Sequence, residues 1–209
     1  MTGQAASQIA PTLIAWLDLF GIAVFAASGA LAAAKRQQTL VTFAFFALVT
    51  GVGGGTIRDL LIDAPVFWVG DWRFPATCLG TALLVWLTPM SFWNERALDW
   101  FDAVGIAIYS VFGAWKALSL GIAPLPAMMM GVITACAGGI IRDVLAGEPS
   151  ILMRPEIYVT ATALSAGLFV AMLAFSVPLL AAALISAAAG FALRAAAIWR
   201  GWAIPAYRR

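Results

Sequence analysis

No histidine occurs anywhere in the 209 residues, which removes the commonest metal ligand and the side chain that titrates most readily near neutral pH. Charge is scarce too. Only 11% of residues are Asp, Glu, Lys or Arg, against about a quarter in an ordinary soluble domain. So few charges cannot cover a water-solvated globule of this length, whereas a lipid-solvated surface needs almost none. The two cysteines, Cys78 and Cys136, stand alone in apolar stretches and read as small buried side chains rather than a disulfide or a metal site. The phosphate-cradling GxxxxGK[ST] pattern is missing and a Ser-His-Asp set cannot be built, so neither an enzyme nor a cofactor nor a bound metal is expected. A net charge of +2 with scattered basic residues gives no electrostatic footprint for nucleic acid. Met1 to Pro11 holds no Lys or Arg, so it lacks the charged start of a secretory signal.

What the chain does have is apolar length. Hydrophobic residues make up 63% and the mean hydropathy is +0.96. Seven segments, 12–34, 38–63, 74–93, 97–118, 122–147, 155–174 and 177–199, are long enough to cross about 30 Å of hydrocarbon. The expectation is an all-α membrane protein of seven transmembrane helices. Placing the N-terminus outside puts Lys35, Arg36, Arg96, Arg154, Arg200, Arg208 and Arg209 on the cytoplasmic side. Arg73 and Lys116 are then left outside, so the positive-inside rule favours N-out and C-in. Trp68, Trp72, Trp93 and Trp100 fall near segment ends, where interfacial anchors belong.

The sequence also repeats itself. At a shift of 84 positions, the separation of Asp18 from Asp102, Gly21-Ile22-Ala23 falls on Gly105-Ile106-Ala107 and Gly29-Ala30 on Gly113-Ala114. At the same register Thr50 matches Thr134, Gly54-Gly55 matches Gly138-Gly139, and Ile57-Arg58-Asp59 matches Ile141-Arg142-Asp143. Leu61 and Pro65 match Leu145 and Pro149. Each copy carries three spans, so the second starts from the opposite side of the bilayer, and the repeat is inverted. The units are 12–93 and 97–174, with 177–199 as an accessory seventh helix for packing or oligomer contact.

The motif that carries chemistry is Gly53-Gly54-Gly55-Thr56-Ile57-Arg58-Asp59 and its partner Ala137-Gly138-Gly139-Ile140-Ile141-Arg142-Asp143. Consecutive glycines loosen a helix by about 1 kcal/mol each relative to alanine. One reading is a pair of kinked helices whose freed carbonyls line a solute path, the only place such breaks survive in lipid. The competing reading is close helix packing through small residues. Duplication and the following charges favour the kink at Gly53, Gly54, Gly55, Gly138 and Gly139. Asp18, Arg58, Asp59, Asp102, Arg142 and Asp143 lie within the spans, where ionisable groups cost about 3 kcal/mol or more and face the bundle interior with a partner. Sequence neighbours do not face each other on a helix, so Arg58 and Asp59 are expected to seek other partners. Depth pairs Asp18 with Arg58 and Asp102 with Arg142, one pair near each end of a path, either holding the bundle or gating it. Thr50 and Thr134 offer hydroxyls to a passing cation, although a helical threonine commonly bonds its own backbone. Lys116, opposite Ala32 in the repeat, either lines an outer vestibule or snorkels to the interface.

The doubled GG-x-I-R-D-[LV]-L motifs, each preceded by Asp-x-x-Gly-Ile-Ala and followed by proline, resemble the trimeric intracellular cation channel family in its prokaryotic branch, over about residues 14–200. The resemblance implies a homotrimer of seven-helix protomers in a bacterial inner membrane. It also implies one potassium-permeable pore per protomer, lined by helices two and five and kinked at their glycines. Ala137 stands where the first motif has Gly53, which implies a smaller second kink. Permeating potassium or sodium ions and membrane lipids are the only other partners implied. The alternative is a secondary transporter of a small solute such as an amino acid, because inverted repeats with broken helices also suit alternating access. A purely structural protein fits the buried charges worst.

Overall fold

The computed structural model describes residues 2–94, 96–153 and 156–205, with side chains at residue 16 and from 18 onward within them. Among these described residues seven α-helices follow one another: α1 Thr2–Lys35, α2 Leu40–Leu61, α3 Arg73–Leu87, α4 Ala97–Ser119, α5 Pro124–Leu145, α6 Val159–Ala174 and α7 Leu179–Arg200. No strand occurs among the described residues; an isolated bridge joins Glu156 to Ala203. Five helices are long and apolar enough to cross a membrane, namely α1 through its Asp18–Lys35 part, α2, α4, α5 and α7. Arg154, Arg208 and Arg209, which weigh in the expected orientation, lie outside the described residues.

The third helix of each unit is shorter than expected, 15 residues in α3 and 16 in α6. At about 1.5 Å per residue neither reaches across the hydrocarbon. For α3 the cause is Pro89, which drives Thr88 into an extended conformation (φ −96°, ψ 132°), as a following proline does. A single 3₁₀ turn, Met90–Phe92, takes over, and the Trp93 indole donates to Thr88 Oγ1 at 2.9 Å.

Local geometry recurs at the repeat spacing. The helices α2 and α5 each have 22 residues and occupy matching positions. Left-handed residues close both α1 and α4, Gln37 (φ 51°) and Gly121 (φ 79°), and both α2 and α5, Asp63 (φ 53°) and Gly147 (φ 67°). The same backbone bonds lock these ends: Gln38 N to Ala33 O (3.2 Å) beside Ile122 N to Ala117 O (3.1 Å), and Ala64 N to Asp59 O (2.8 Å) beside Glu148 N to Asp143 O (2.9 Å). These are helix-terminating turns that satisfy the last carbonyls, where glycine is the residue of least strain.

In packing, α1 lies against α2, α3 and α4, and α4 lies against α5, α6 and α7. The centre is made of small residues, with Ala26, Ala30, Ala33, Ala47, Ala103, Ala114 and Ala135 fully or almost fully buried. Large apolar side chains point outward instead, among them Leu79, Leu83, Leu84 and Leu87 on α3 and Leu180 and Leu184 on α7. An exterior more apolar than the interior is what lipid, which offers helices no hydrophobic drive to associate, selects.

Candidate functional site

The middle of the protein is the crossing of α2 and α5. A Cβ on Gly54 would collide with the Thr134 carbonyl oxygen, and a Cβ on Gly138 with the Thr50 carbonyl oxygen. Position 54 therefore faces 134 while 50 faces 138, so numbers rise along one helix as they fall along the other. The two helices cross antiparallel, about a two-fold axis, with their backbones in contact. Both stay helical through the glycines. The glycines therefore serve close packing without interrupting either helix: the missing side chains let two backbones touch. Gly53 also faces α5, at the tip of Ile141 and the edge of Gly138, while Gly55 turns away toward the Phe67 ring and Gly139 faces Tyr158. The outer helices pack symmetrically too, α1 on α2 through Gly29 at Thr50 and α4 on α5 through Gly113 at Thr134, and on each other through Gly21 at the Tyr109 ring and Gly105 at the Phe25 ring.

Because the crossing is antiparallel, the Arg-Asp pairs that follow each glycine run lie on opposite sides of it. Arg58 and Arg142 are each 1% exposed, and Asp59 and Asp102 are fully buried. In the second cluster, at the end of α5, Arg142 Nη1 donates to both Asp102 oxygens (2.7 and 2.8 Å) and to Ser28 Oγ (3.0 Å). This is the pairing expected from depth. In the first cluster, at the end of α2, no such bond joins Asp18 to Arg58. The Tyr109 hydroxyl donates to Asp18 Oδ1 at 2.7 Å, while Arg58 sits between the Phe67 and Phe112 rings, its guanidinium carbon 5.9 and 5.8 Å from their centroids.

The neighbouring Arg and Asp do pair, against expectation. Arg58 Nε reaches Asp59 Oδ1 at 2.9 Å, and Arg142 Nε reaches Asp143 Oδ1 at 3.0 Å. The long arginine arm spans the turn between adjacent helix positions, which a face-counting rule ignores. Each aspartate also accepts from the loop beyond its helix, Asp59 Oδ2 from Phe67 N (3.1 Å) and Asp143 Oδ2 from Ile151 N (2.8 Å). Asp59 and Asp143 therefore fasten the loop after the helix to the buried arginine. Lys116 neither snorkels nor stands free: its Nζ lies 2.7 Å from Asp59 Oδ1, so the first cluster has a second cation. Thr134 bonds its own helix at Met130 O (2.5 Å), whereas the buried Thr50 hydroxyl has no partner.

Several contributors escaped the sequence reading: Ser28, Tyr109, Tyr158 and Arg194. Arg194 is a lone charge amid the alanines of α7, 1% exposed, ion-paired with Glu156 Oε2 at 2.7 Å and 5.3 Å from the Tyr158 ring centroid. A single arginine deep in an apolar helix was the available signal, and it ties the seventh helix to the second cluster. Glu148 meets Arg36 at 2.6 Å with both side chains 46% exposed, a solvated pair at the same end.

Two antiparallel copies of a three-helix unit, crossing at glycine and carrying a buried ion-pair cluster on each side, define an inverted-repeat membrane protein of the kind that moves solutes across a bilayer. Comparison with known proteins places it further. A family described as Glycine transporter matches twice, over residues 15–89 and 99–174. The inner membrane protein YadS of Escherichia coli K12 is 41% identical over 192 residues, 89% of this chain and 92% of YadS. The solved structure of a trimeric intracellular cation (TRIC) channel orthologue from Rhodobacter sphaeroides has a TM-score of 0.84 at 42% identity, covering 91% of this chain and all of that one. A further TRIC cation channel structure has a TM-score of 0.84 at 27% identity, over 92% of this chain and 96% of its own. The chain belongs to this family, as a multi-pass membrane protein with the TRIC channel fold.

Proposed function

We propose that the chain is a channel for monovalent cations, potassium among them, with one path in each protomer of a homotrimer in a bacterial inner membrane. The path follows α2 and α5, and the crossing at Gly54 and Gly138 is its narrowest point, shut in this conformation by backbone contact. The two Arg-Asp clusters sit one to each side as electrostatic gates. The observation that carries this reading is the placement of buried, ion-paired charge on both sides of a side-chain-free crossing, in the fold of the TRIC cation channels. Bundle stability alone does not favour it, since a buried ion pair is weak support compared with an apolar isostere. Asp18, Arg58, Asp102 and Arg142 face the path; Asp59 and Asp143 hold its walls. The unpartnered Thr50 hydroxyl is a contact for a dehydrating cation once the crossing opens. The N-terminus is outside and the C-terminus cytoplasmic.

A second reading is a carrier for a small solute such as glycine. The family description and a tight crossing between two separate clusters favour it, because a carrier never opens both sides at once. Purified protein in a planar bilayer decides. Unitary, ohmic current steps in potassium chloride support the channel. Saturable glycine uptake into proteoliposomes, with no unitary steps, would refute it in favour of the carrier.

A further inference from the structure

Beside the charged clusters three buried donors have no hydrogen-bond partner among the described residues, Nη1 of Arg58, the hydroxyl of Tyr158 and Nε of Arg194; the first two lie next to an aspartate. Buried donors are nearly always satisfied, so each orphan asks for an account. In each cluster the aspartate from the neighbouring helix has made the opposite choice. Asp18 takes the Tyr109 hydroxyl at 2.7 Å and leaves Arg58 Nη1 free, although the Arg58 charge lies within electrostatic reach of it. Asp102 takes Arg142 at 2.7 and 2.8 Å, and there it is the tyrosine that is left out. A Cβ built on Gly139 would lie 3.0 Å from the Tyr158 hydroxyl, 3.6 Å from Arg142 Nη2 and 3.8 Å from Asp102 Oδ2. The three groups therefore ring one small space above that glycine.

We propose that Asp18 and Asp102 are exchangeable latches, each moving between the arginine of its cluster and a tyrosine hydroxyl, and that the structure holds the two ends in opposite positions of that exchange. Tyr109 and Tyr158 are the positioning residues that compete with the guanidinium. Their repeat counterparts are Phe25 and Phe74, so the duplication did not supply two equivalent phenols; each end has its own. The alternative position is well provided for. With Asp18 on Arg58, the Tyr109 hydroxyl keeps the Asp18 carbonyl oxygen, already at 2.9 Å. With Asp102 on Tyr158, Arg142 keeps Ser28 at 3.0 Å and Asp143 at 2.8 Å. Both positions leave few groups unbonded, as a two-state element requires. An arginine released from its aspartate presents a less neutralised cation to the path and bars it to cations. The first end is barred in this way here and the second is not. Other charges act on the first end as well: Lys116 and Asp59 face Asp18 from α4 and α2. They do not move in the exchange, since each is held by the other at 2.7 Å.

The exchange rests on the channel reading only for its effect on current, and the test separates the two. In detergent, melting midpoints are compared for Asp18→Asn, Arg58→Gln and the double variant, in the native background and in Tyr109→Phe. The single effects should couple only through charge in the native protein, where the two groups share no bond. In Tyr109→Phe the coupling should grow by about 2–4 °C, the shift that one new interaction gives a protein of this size. Equal coupling in both backgrounds overturns the exchange. In planar bilayers, Tyr109→Phe should raise the open-to-closed ratio about fivefold, the factor for one net hydrogen bond, with the unitary current unchanged. Tyr158→Phe, which removes the alternative partner of Asp102, should leave that ratio unchanged or raise it less, since Asp102 is already on Arg142. An equal rise in both variants overturns the proposal. Growth of the coupling in detergent with no current from any variant supports the exchange and overturns the channel reading.

Discussion

Adding one methyl group at Gly54 tests the crossing most directly. Gly54→Ala places a Cβ against the Thr134 carbonyl oxygen and 3.0 Å from its carbon. The obstacle is backbone of another helix, so no side-chain rotation relieves it, and α2 and α5 must move apart along their contact. Alanine returns about 1 kcal/mol of helix propensity, while overpacking a tight interior costs about 1–3 kcal/mol. The expected net loss is therefore about 0–2 kcal/mol, or up to about 4–8 °C in melting midpoint at this chain length. Gly138→Ala should match it, because the two-fold axis gives it the same obstacle at the Thr50 carbonyl. Gly53→Ala is the internal control. Its Cβ would meet the movable tip of Ile141 at 3.3 Å and the Gly138 Cα at an ordinary 4.0 Å, and the second motif already carries Ala137 at the equivalent place. Gly53→Ala should equal or exceed the native melting midpoint. The assay is thermal unfolding of purified protein in detergent, followed by fluorescence. If Gly54→Ala proved as stable as Gly53→Ala, the backbone contact at the crossing would be wrong and the reasoning with it.

Other perturbations have equally definite outcomes. Arg142→Gln strands Asp102 among buried apolar groups and should cost about 3–5 kcal/mol, visible as loss of folded protein in size-exclusion chromatography. Replacing both by Gln and Asn should recover a large part of it. Asp63→Gly removes a side chain from a left-handed position (φ 53°) and should raise the unfolding free energy by about 1 kcal/mol, whereas Gly147→Asp, at the equivalent turn, should lower it by a similar amount. Arg36→Ala breaks a half-exposed ion pair with Glu148, so its effect on stability should stay within about 1 kcal/mol and vanish at high salt.

Much of the architecture was readable before any coordinates, and for definite reasons. The spans follow from apolar length, and the repeat register from rare residues such as Asp18 and Asp102 that chance rarely aligns. The Asp102–Arg142 bond follows from depth alone. What escaped was whatever depends on orientation about a helix axis. Glycine runs announce an unusual backbone, but a bend and a close crossing need the same residue, and the facing carbonyls of Thr50 and Thr134 show the crossing. The Arg58–Asp59 contact is not legible from helix faces, because the length of the arginine arm lets adjacent positions meet. Tyr109 and Tyr158 are two of only three tyrosines in the chain, a scarcity that would have repaid attention among so many phenylalanines. The short third helix was legible at Thr88-Pro89 and was overrun by hydrophobicity.

The two halves have diverged most where they carry charge. Ser28, which accepts from Arg142, matches Phe112, whose ring faces Arg58; Ala32 matches Lys116, which holds Asp59. In the second cluster the arginine is bound by four oxygens from Ser28, Asp102 and Asp143, while in the first it is bound by Asp59 and framed by rings. A duplicated unit under selection only for bundle stability has no reason to treat its two arginines differently, since each pays the same desolvation cost. Unequal ends do follow if the path must distinguish its two sides. Restoring symmetry then becomes the sharpest experiment: Lys116→Ala with Phe112→Ser gives the first cluster the composition of the second. If sidedness resides in these residues, currents through the variant should become less rectifying at equal and opposite voltages than those through the native protein. Unchanged rectification would mean that the asymmetry lies elsewhere, with Arg194 and the unrepeated α7 the remaining source.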